Sequence, residues 1–295
     1  MKAVSISKGL VGRVVTIYGI IFLGVWLCLS LLPPHGGYVW DPWVINISTA
    51  LLFTLLVALT ARLLDTDHTL VGLISTALFL ILFCPGSVRF FQRDESALVE
   101  LCSQCMVPFF IRQYMTVSRR SFGKLYFLML LMGVFCSYTH NSVTIPLCAT
   151  FVWISFLRRR SFFRLACWPM VVGFVIGTAL SIWKMRSVGT MNVHNLQDVA
   201  TRATVIIHTL WDTKVFVLGI LLSAYMATQK GGRRLILHIS HRQYVLSYCM
   251  LMSLIALPFA PLGIDNAVNG VCFFSMLWIL SVLKYLVFIY FNKRI

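Results

Sequence analysis

The sequence predicts an all-α fold, a polytopic bundle of about ten transmembrane helices with both termini in the cytoplasm. The composition is the first observation behind this prediction. It is 59% hydrophobic and 12% charged, far from the roughly 25% charged residues of soluble domains. The second observation is that the basic residues fall mostly on alternate connections between the apolar segments. The sequence contains no soluble domain, so we expect residues 1–295 to form a single integral membrane domain.

The distribution of lysine and arginine sets the predicted orientation. Of the 25 basic residues, 18 lie on the alternate connections that begin with the N-terminal segment, and Lys284 lies within the last apolar segment. Short basic loops resist translocation, so these connections are predicted to be cytoplasmic and the others to face outward. Topology thereby accounts for the net charge of +16, and no nucleic-acid partner is expected. The outward connections hold only Arg89, Arg93, Lys184, Arg186, Arg202 and Lys214.

The spans are placed where about 17–25 mostly apolar residues can cross a hydrocarbon layer of about 30 Å. The first is expected to stay uncleaved, since it is long enough to span and ends in two prolines instead of a small-residue cleavage site. The fourth is short and contains Glu100, so a re-entrant or interfacial segment is the alternative there. The expected spans are 14–32, 43–61, 70–86, 96–111, 125–139, 142–157, 165–183, 214–229, 243–262 and 270–290.

Two connections within this set have distinctive patterns. Residues 138–141, Tyr-Thr-His-Asn, join the fifth and sixth spans as either a tight outer hairpin or a break in a helix that stops inside a cavity. The longest outer connection, 184–213, has apolar residues at three- and four-residue spacings, which predicts an amphipathic helix on the outer interface or packed on the bundle. Before it, Gly173 and Gly177 have GxxxG spacing, which favours close helix packing within the bundle or between protomers.

Polar residues on the predicted outer face are the candidates for a site. Asp41 lies among aromatic residues, where it is either a catalytic carboxylate or the cap of the following helix in an aromatic belt. The second outer connection, residues 89–95, alternates basic, aromatic and acidic residues. It could bind a phosphate through its arginines and supply a catalytic carboxylate, or it could be a solvated loop of paired charges. His140 is a further candidate beside a structural alternative. The candidate catalytic residues are Asp41, Asp94, Glu95 and His140, and the candidate substrate-binding residues are Arg89 and Arg93.

Two ionisable residues, Glu100 and Lys284, lie at membrane depth within apolar segments. A charge there costs a few kcal/mol on insertion scales, so it normally faces a cavity or a partner. The two could pair with each other, or Lys284 could extend along its methylene stem to the inner surface. Nucleotide and zinc motifs are absent, and Cys102 and Cys105 have CxxC spacing without further metal ligands, so we expect no metal and no cofactor.

Five features of the sequence follow one another along the chain. They are Gly12-Arg13, Trp43 and Asn46 in the second span, the polar cluster before the fourth span, the stretch from Gly133 to Asn141, and the GxxxG span that leads to Lys184 and Arg186. In this order they resemble the GT-C type polytopic bacterial glycosyltransferases and related surface-polysaccharide membrane proteins. The chain departs from that pattern in having only Asp41 as an acid in the first outer loop, and Asn141 where such enzymes carry a glutamate.

The resemblance implies a transferase of cell-surface glycan assembly in the inner (plasma) membrane. Such an enzyme would use a polyprenyl-phosphate-linked sugar on the outer face, with membrane lipid as its surroundings, and Arg186 would join the substrate-binding residues. A transporter or flippase of a lipid-linked or anionic solute is the competing class, with Glu100 and Lys284 on its pathway. A non-catalytic membrane subunit is the third. The oligomeric state stays open.

Overall fold

The computed structural model describes the chain as a set of helices separated by stretches that are not described here. Among the described residues there is no strand, so the all-α prediction is confirmed. The described ranges are 8–31, 41–66, 70–83, 95–116, 125–139, 141–157, 168–187, 241–256 and 264–292, with short helical stretches inside 200–207 and 217–225.

Nine long helices lie within the described ranges, and each corresponds to one of the expected spans. The agreement includes the fourth, where one continuous helix of 22 residues replaces the shorter segment that the sequence indicated. Described residues of the expected span 214–229 are also helical. The helices are α1 (Lys8–Leu31), α2 (Pro42–Leu64), α3 (Leu70–Phe83), α4 (Glu95–Thr116), α5 (Leu125–Thr139), α6 (Asn141–Leu157), α7 (Trp168–Ser187), α8 (His241–Ala256) and α9 (Ile264–Asn292).

The chain divides into two compact units. The first consists of residues 1–82 and 86–105, and the second of residues 83–85 and 106–295. The first therefore contains α1, α2, nearly all of α3 and the N-terminal half of α4, and the second contains the remaining helices. The expectation of a single membrane domain over 1–295 stays a prediction.

In the first unit, α1 and α2 pack as consecutive helices. The indole rings of Trp26, near the end of α1, and Trp43, at the start of α2, have centroids 5.7 Å apart. Since the end of one helix meets the start of the next, the two run antiparallel. α2 ends at Asp65, whose left-handed backbone (φ 52°) lets its N–H bond back to the carbonyls of Ala61 and Arg62.

In the second unit, α5 and α7 make the closest helix contact, and its centre is glycine. A Cβ built on Gly133 would lie 2.7 Å from the Met170 carbonyl oxygen and 3.3 Å from the Gly173 Cα. One built on Gly177 would meet Val134 and Ser137. Any side chain in these places would hold the two backbones apart. The GxxxG prediction is thus confirmed, and the motif packs within the chain.

The same contacts show that α5 and α7 are parallel. Gly133 lies against Met170 and Gly173, and Ser137 lies against Gly177 and Thr178, so partner numbers rise together along both helices. Since α6 lies between α5 and α7 in the chain, it has to return in the opposite direction.

The junction of α5 and α6 is a reversal of the chain. The Thr144 hydroxyl of α6 donates to the Ser137 Oγ of α5 at 3.1 Å. In a helix that continued through this point, residues seven apart would be about 10.5 Å apart along the axis. The tight hairpin is therefore confirmed over the broken helix. His140, the residue between the two helices in the sequence, lies outside the described residues.

Hydroxyl groups within the helices are mostly satisfied by their own backbone. Thr54 donates to the Ala50 carbonyl, and Ser155 donates to the Phe151 carbonyl, four residues earlier in each case. This local bonding lets serine and threonine occupy an apolar helix without a partner on another helix. By length and composition, one helix in the described parts of the chain, Pro42–Leu64, passes as a membrane span, and seven shorter helices are apolar.

Candidate functional site

Most of the residues assigned from the sequence to an outer site fall where the structure gives no side chain. Asp41 is the exception, and it is described in full. The assignment of the outer charges to one site therefore stays a prediction. Four of these residues lie outside the described part of the chain: Arg89, Arg93, Asp94 and His140. Two others, Glu95 in α4 and Arg186 in α7, have a described backbone but no described side chain.

Asp41 is the N-cap of α2. Its Oδ1 accepts a hydrogen bond from the Trp43 backbone N–H at 3.0 Å, and its backbone carbonyl accepts from Val44 and Ile45. Pro42 follows as the first helical residue, where its missing N–H costs nothing. The capping alternative for Asp41 is confirmed. The side chain is also exposed, so the cap does not withdraw the carboxylate from solvent. Its catalytic assignment stays a prediction.

The rings beside Asp41 form an aromatic pair at the same end of the α1–α2 hairpin. Trp43 is 62% exposed, while Trp26 is half-buried. An exposed indole ring at the end of an apolar hairpin, like that of Trp43, is typical of the boundary between hydrocarbon and water. The aromatic belt itself stays a prediction.

Glu100 lies on α4 in the first unit and is held by its own helix. The Gln104 Nε2 donates to the Glu100 Oε1 at 3.3 Å. Gln104 and the adjoining Ser103 are fully buried, while Glu100 is half-buried. A carboxylate and an amide one turn apart therefore lie side by side on a largely buried helix. The predicted position of Glu100 inside the fold is consistent with this burial.

Lys284 lies on α9 in the second unit and is also half-buried. The residues that precede it on the helix, from Val271 to Val282, are almost all buried. The proposed pairing of Lys284 with Glu100 and the proposed extension to the inner surface both stay predictions.

A chain of three hydroxyl groups joins α5, α6 and α7 beside the α5–α6 turn. The Ser137 and Thr178 hydroxyl oxygens lie 2.6 Å apart, and Thr144 donates to Ser137. Ser137 and Thr144 are fully buried. These bonds run between helices, unlike the local bonds of Thr54 and Ser155. The hydroxyl chain thus links the adjoining ends of α5 and α6 to the middle of α7.

Lys184 and Tyr138 form a contact between the C-terminal ends of α7 and α5. The Lys184 Nζ lies 5.2 Å from the centroid of the Tyr138 ring, which is a cation–π geometry. Both side chains are exposed, and Lys184 is in the last turn of α7, where the helix dipole favours a cation. These local contacts account for Lys184 without a substrate.

Two groups of polar residues were missed from the sequence. The hydroxyl chain of Ser137, Thr144 and Thr178 had no signal, since serine and threonine are ordinary in apolar helices. Asn46 entered only through the family resemblance, yet it is 6% exposed and its Oδ1 has no hydrogen-bond partner among the residues that the structure describes. An amide inside a predicted span is a signal that could have singled it out.

The described residues offer no cluster for a transition metal, since no three His, Cys, Asp or Glu side chains come together among them. Cys105 of the CxxC pair instead donates its Sγ to the Leu52 carbonyl at 3.2 Å, which makes it a packing contact between α4 and α2. No disulfide joins the cysteines of the described ranges.

Comparison of the chain with protein-family models, with curated proteins and with solved structures found no match.

Proposed function

We propose that the chain is a multi-pass membrane protein of about ten spans, with both termini in the cytoplasm. The observation that carries this proposal is the apolar outer surface of the described helices. Val71 is 77% exposed, Phe156 74% and Trp183 70%, and each belongs to a different helix. Soluble monomers rarely expose apolar patches of more than a few hundred Å². In a lipid bilayer these side chains contact hydrocarbon instead of water, so their exposure is not unfavourable.

Helix direction supports the same topology. Consecutive spans have to alternate in direction, so the fifth and seventh run the same way and the sixth runs back. The parallel α5 and α7, and the reversal between α5 and α6, agree with that order.

The test of topology is a set of reporter fusions. Fusions after Thr66 and after Thr116 should both report the cytoplasmic side, because α2 and α4 run inward in this proposal. Fusions at Gly263 and at the C-terminus should report opposite sides. If the fusions after Thr66 and Thr116 report opposite sides of the membrane, the proposed topology is refuted.

We further propose that the protein takes part in cell-surface glycan assembly, as a transferase that uses a polyprenyl-phosphate-linked sugar at the outer face of the inner membrane. The resemblance to GT-C enzymes and the charge distribution support this. In this proposal the exposed carboxylate of Asp41 serves as the base that activates the acceptor. Arginines on the same side, Arg89, Arg93 and Arg186, hold the phosphate of the donor.

The experiment separates the cap of Asp41 from its proposed chemistry. Asparagine caps helices about as well as aspartate, so Asp41→Asn keeps the fold but removes the base. We expect sugar transfer to membrane acceptors to fall by roughly 10²–10⁴-fold. Asp65→Asn is the matched control, an exposed acid at the other end of α2 whose left-handed backbone asparagine also tolerates. Equal transfer by both variants and the wild type would refute the role of Asp41.

A transporter or flippase of a lipid-linked or anionic solute is the second candidate, favoured by the Glu100–Gln104 pair inside α4. In that case the pathway residues lie at membrane depth. Glu100→Gln or Lys284→Met should then abolish solute movement, while Asp41→Asn should leave it intact. The opposite pattern favours the transferase, and indifference to all three changes favours a non-catalytic subunit.

A further inference from the structure

The proline inside α4 is the starting observation. α4 continues as one helix from Glu95 to Thr116, and it contains Pro108, which is buried. Proline has no N–H, so the Gln104 carbonyl receives no hydrogen bond from the residue four places later, and the proline ring also crowds that carbonyl. Proline is one of the few causes of sharp bends in helices. The turn from 104 to 108 is therefore the place where α4 resists bending least.

The residues just before Pro108 are fixed to α2. The Cys105 Sγ donates to the Leu52 carbonyl at 3.2 Å, and the Cys105 side chain is fully buried. Both residues belong to the first compact unit, which contains α4 only as far as Cys105. This half of α4 therefore moves with α2.

The residues just after the proline are fixed to two other helices, α6 and α7. The Phe110 ring meets the Phe174 ring of α7 edge to face, with centroids 5.2 Å apart. The Tyr114 ring stacks on the Phe151 ring of α6, with centroids 4.4 Å apart. The three phenylalanines are buried, and all four residues belong to the second compact unit, which contains the rest of α4. This half of α4 therefore moves with α6 and α7.

We propose that Pro108 is a hinge in α4, about which each compact unit moves with its own half of the helix. The boundary between the units, after Cys105, lies within the turn whose hydrogen bond Pro108 removes. The anchors at Cys105 and Phe110 lie close to the proline on either side, so bending is confined to that turn. Hinges in proteins are a few residues that absorb the change in backbone dihedral angles. The chain also crosses between the units at 82–86, but α3 ends there at Phe83, whereas α4 continues far into both units.

A second proline inside a helix provides the matched control. Pro146 of α6 also removes one bond of its helix, but α6 lies entirely within the second unit. Replacing Pro146 by alanine therefore changes a helix without changing a connection between the units.

The experiment measures distances between two spin labels on the full chain in lipid nanodiscs by double electron–electron resonance. The chain has nine cysteines, so the labels are attached to a ketone-bearing amino acid introduced at exposed positions. One pair, at Arg62 and Phe156, has a label in each unit, and a second pair, at Leu27 and Arg62, lies inside the first unit. A bend of about 20° at Pro108 moves the end of α4, about 12 Å away, by about 4 Å.

We expect the distance distribution of the Arg62–Phe156 pair to be about 4 Å broader than that of the Leu27–Arg62 pair. Pro108→Ala should remove this excess width, because alanine restores the missing bond of α4, and Pro146→Ala should keep it.

The hinge is overturned if the two label pairs have equally narrow distributions in the wild type. It is also overturned if the excess width survives in Pro108→Ala, or if Pro146→Ala removes it to the same extent. If Pro108→Ala does not fold, the comparison of the two pairs in the wild type decides alone.

Discussion

Replacing Gly133 by alanine should destabilise the protein because of where α5 meets α7. The new methyl group would lie 2.7 Å from the Met170 carbonyl oxygen and 3.3 Å from the Gly173 Cα. Relief to ordinary contact near 3.4 Å requires a shift of about 0.7 Å, and both neighbours are backbone atoms that cannot rotate away. Overpacking of this kind costs about 1–3 kcal/mol, here about 2–3, and the better helix propensity of alanine returns about 1 kcal/mol.

The expected net loss is therefore about 1–2 kcal/mol, which is roughly a 5–30-fold change in the ratio of folded to unfolded protein. Equilibrium unfolding by SDS in mixed micelles measures it. Gly24→Ala is the matched control, since a Cβ there has nothing within 4 Å, and it should be neutral or stabilising by up to about 1 kcal/mol. If the two variants unfold at the same SDS fraction, the glycine contact between α5 and α7 is not formed.

Two further changes test described hydrogen bonds by the same titration. Ser137→Ala removes both bonds of the hydroxyl chain, and at about 0.6 kcal/mol per interhelical bond in membranes it should cost about 1 kcal/mol; a cost no larger than that of Thr54→Val would mean that the chain adds nothing to local bonding. Asp41→Ala should cost about 0.5–2 kcal/mol through the lost cap of α2, while Asp41→Asn should not. Equal losses in the two Asp41 variants would exclude the cap.

The helices were predictable because long apolar runs between charged connections leave few alternatives. The fifth span, for example, was predicted as 125–139 and the helix is Leu125–Thr139. The fourth was harder, since Glu100, Ser103 and Gln104 dilute its apolar character. In the structure these residues belong to a largely buried helix, and Gln104 bonds to Glu100, so tertiary packing decides what composition leaves open.

The contacts between helices were much less predictable from the sequence than the helices themselves. The GxxxG spacing of Gly173 and Gly177 shows that some helix approaches closely, but its partner Gly133 is a single glycine with no motif of its own. Ser137 is similarly indistinguishable in sequence from Thr54, although one bonds between helices and the other within its own. Local pattern fixes which residues form a helix, whereas such pairings depend on contacts between distant segments.

The parallel packing of α5 and α7 can be compared with the topology that the basic residues predict. Because the two helices are parallel, their N-terminal ends lie at one end of the pair and their C-terminal ends at the other. The sequence places basic residues just before each N-terminus, at 119–124 before α5 and at 158–164 before α7. Lys184 lies with Tyr138 at the opposite end. The N-termini that follow these two basic segments in the sequence therefore lie at one end of the pair, as the predicted topology requires.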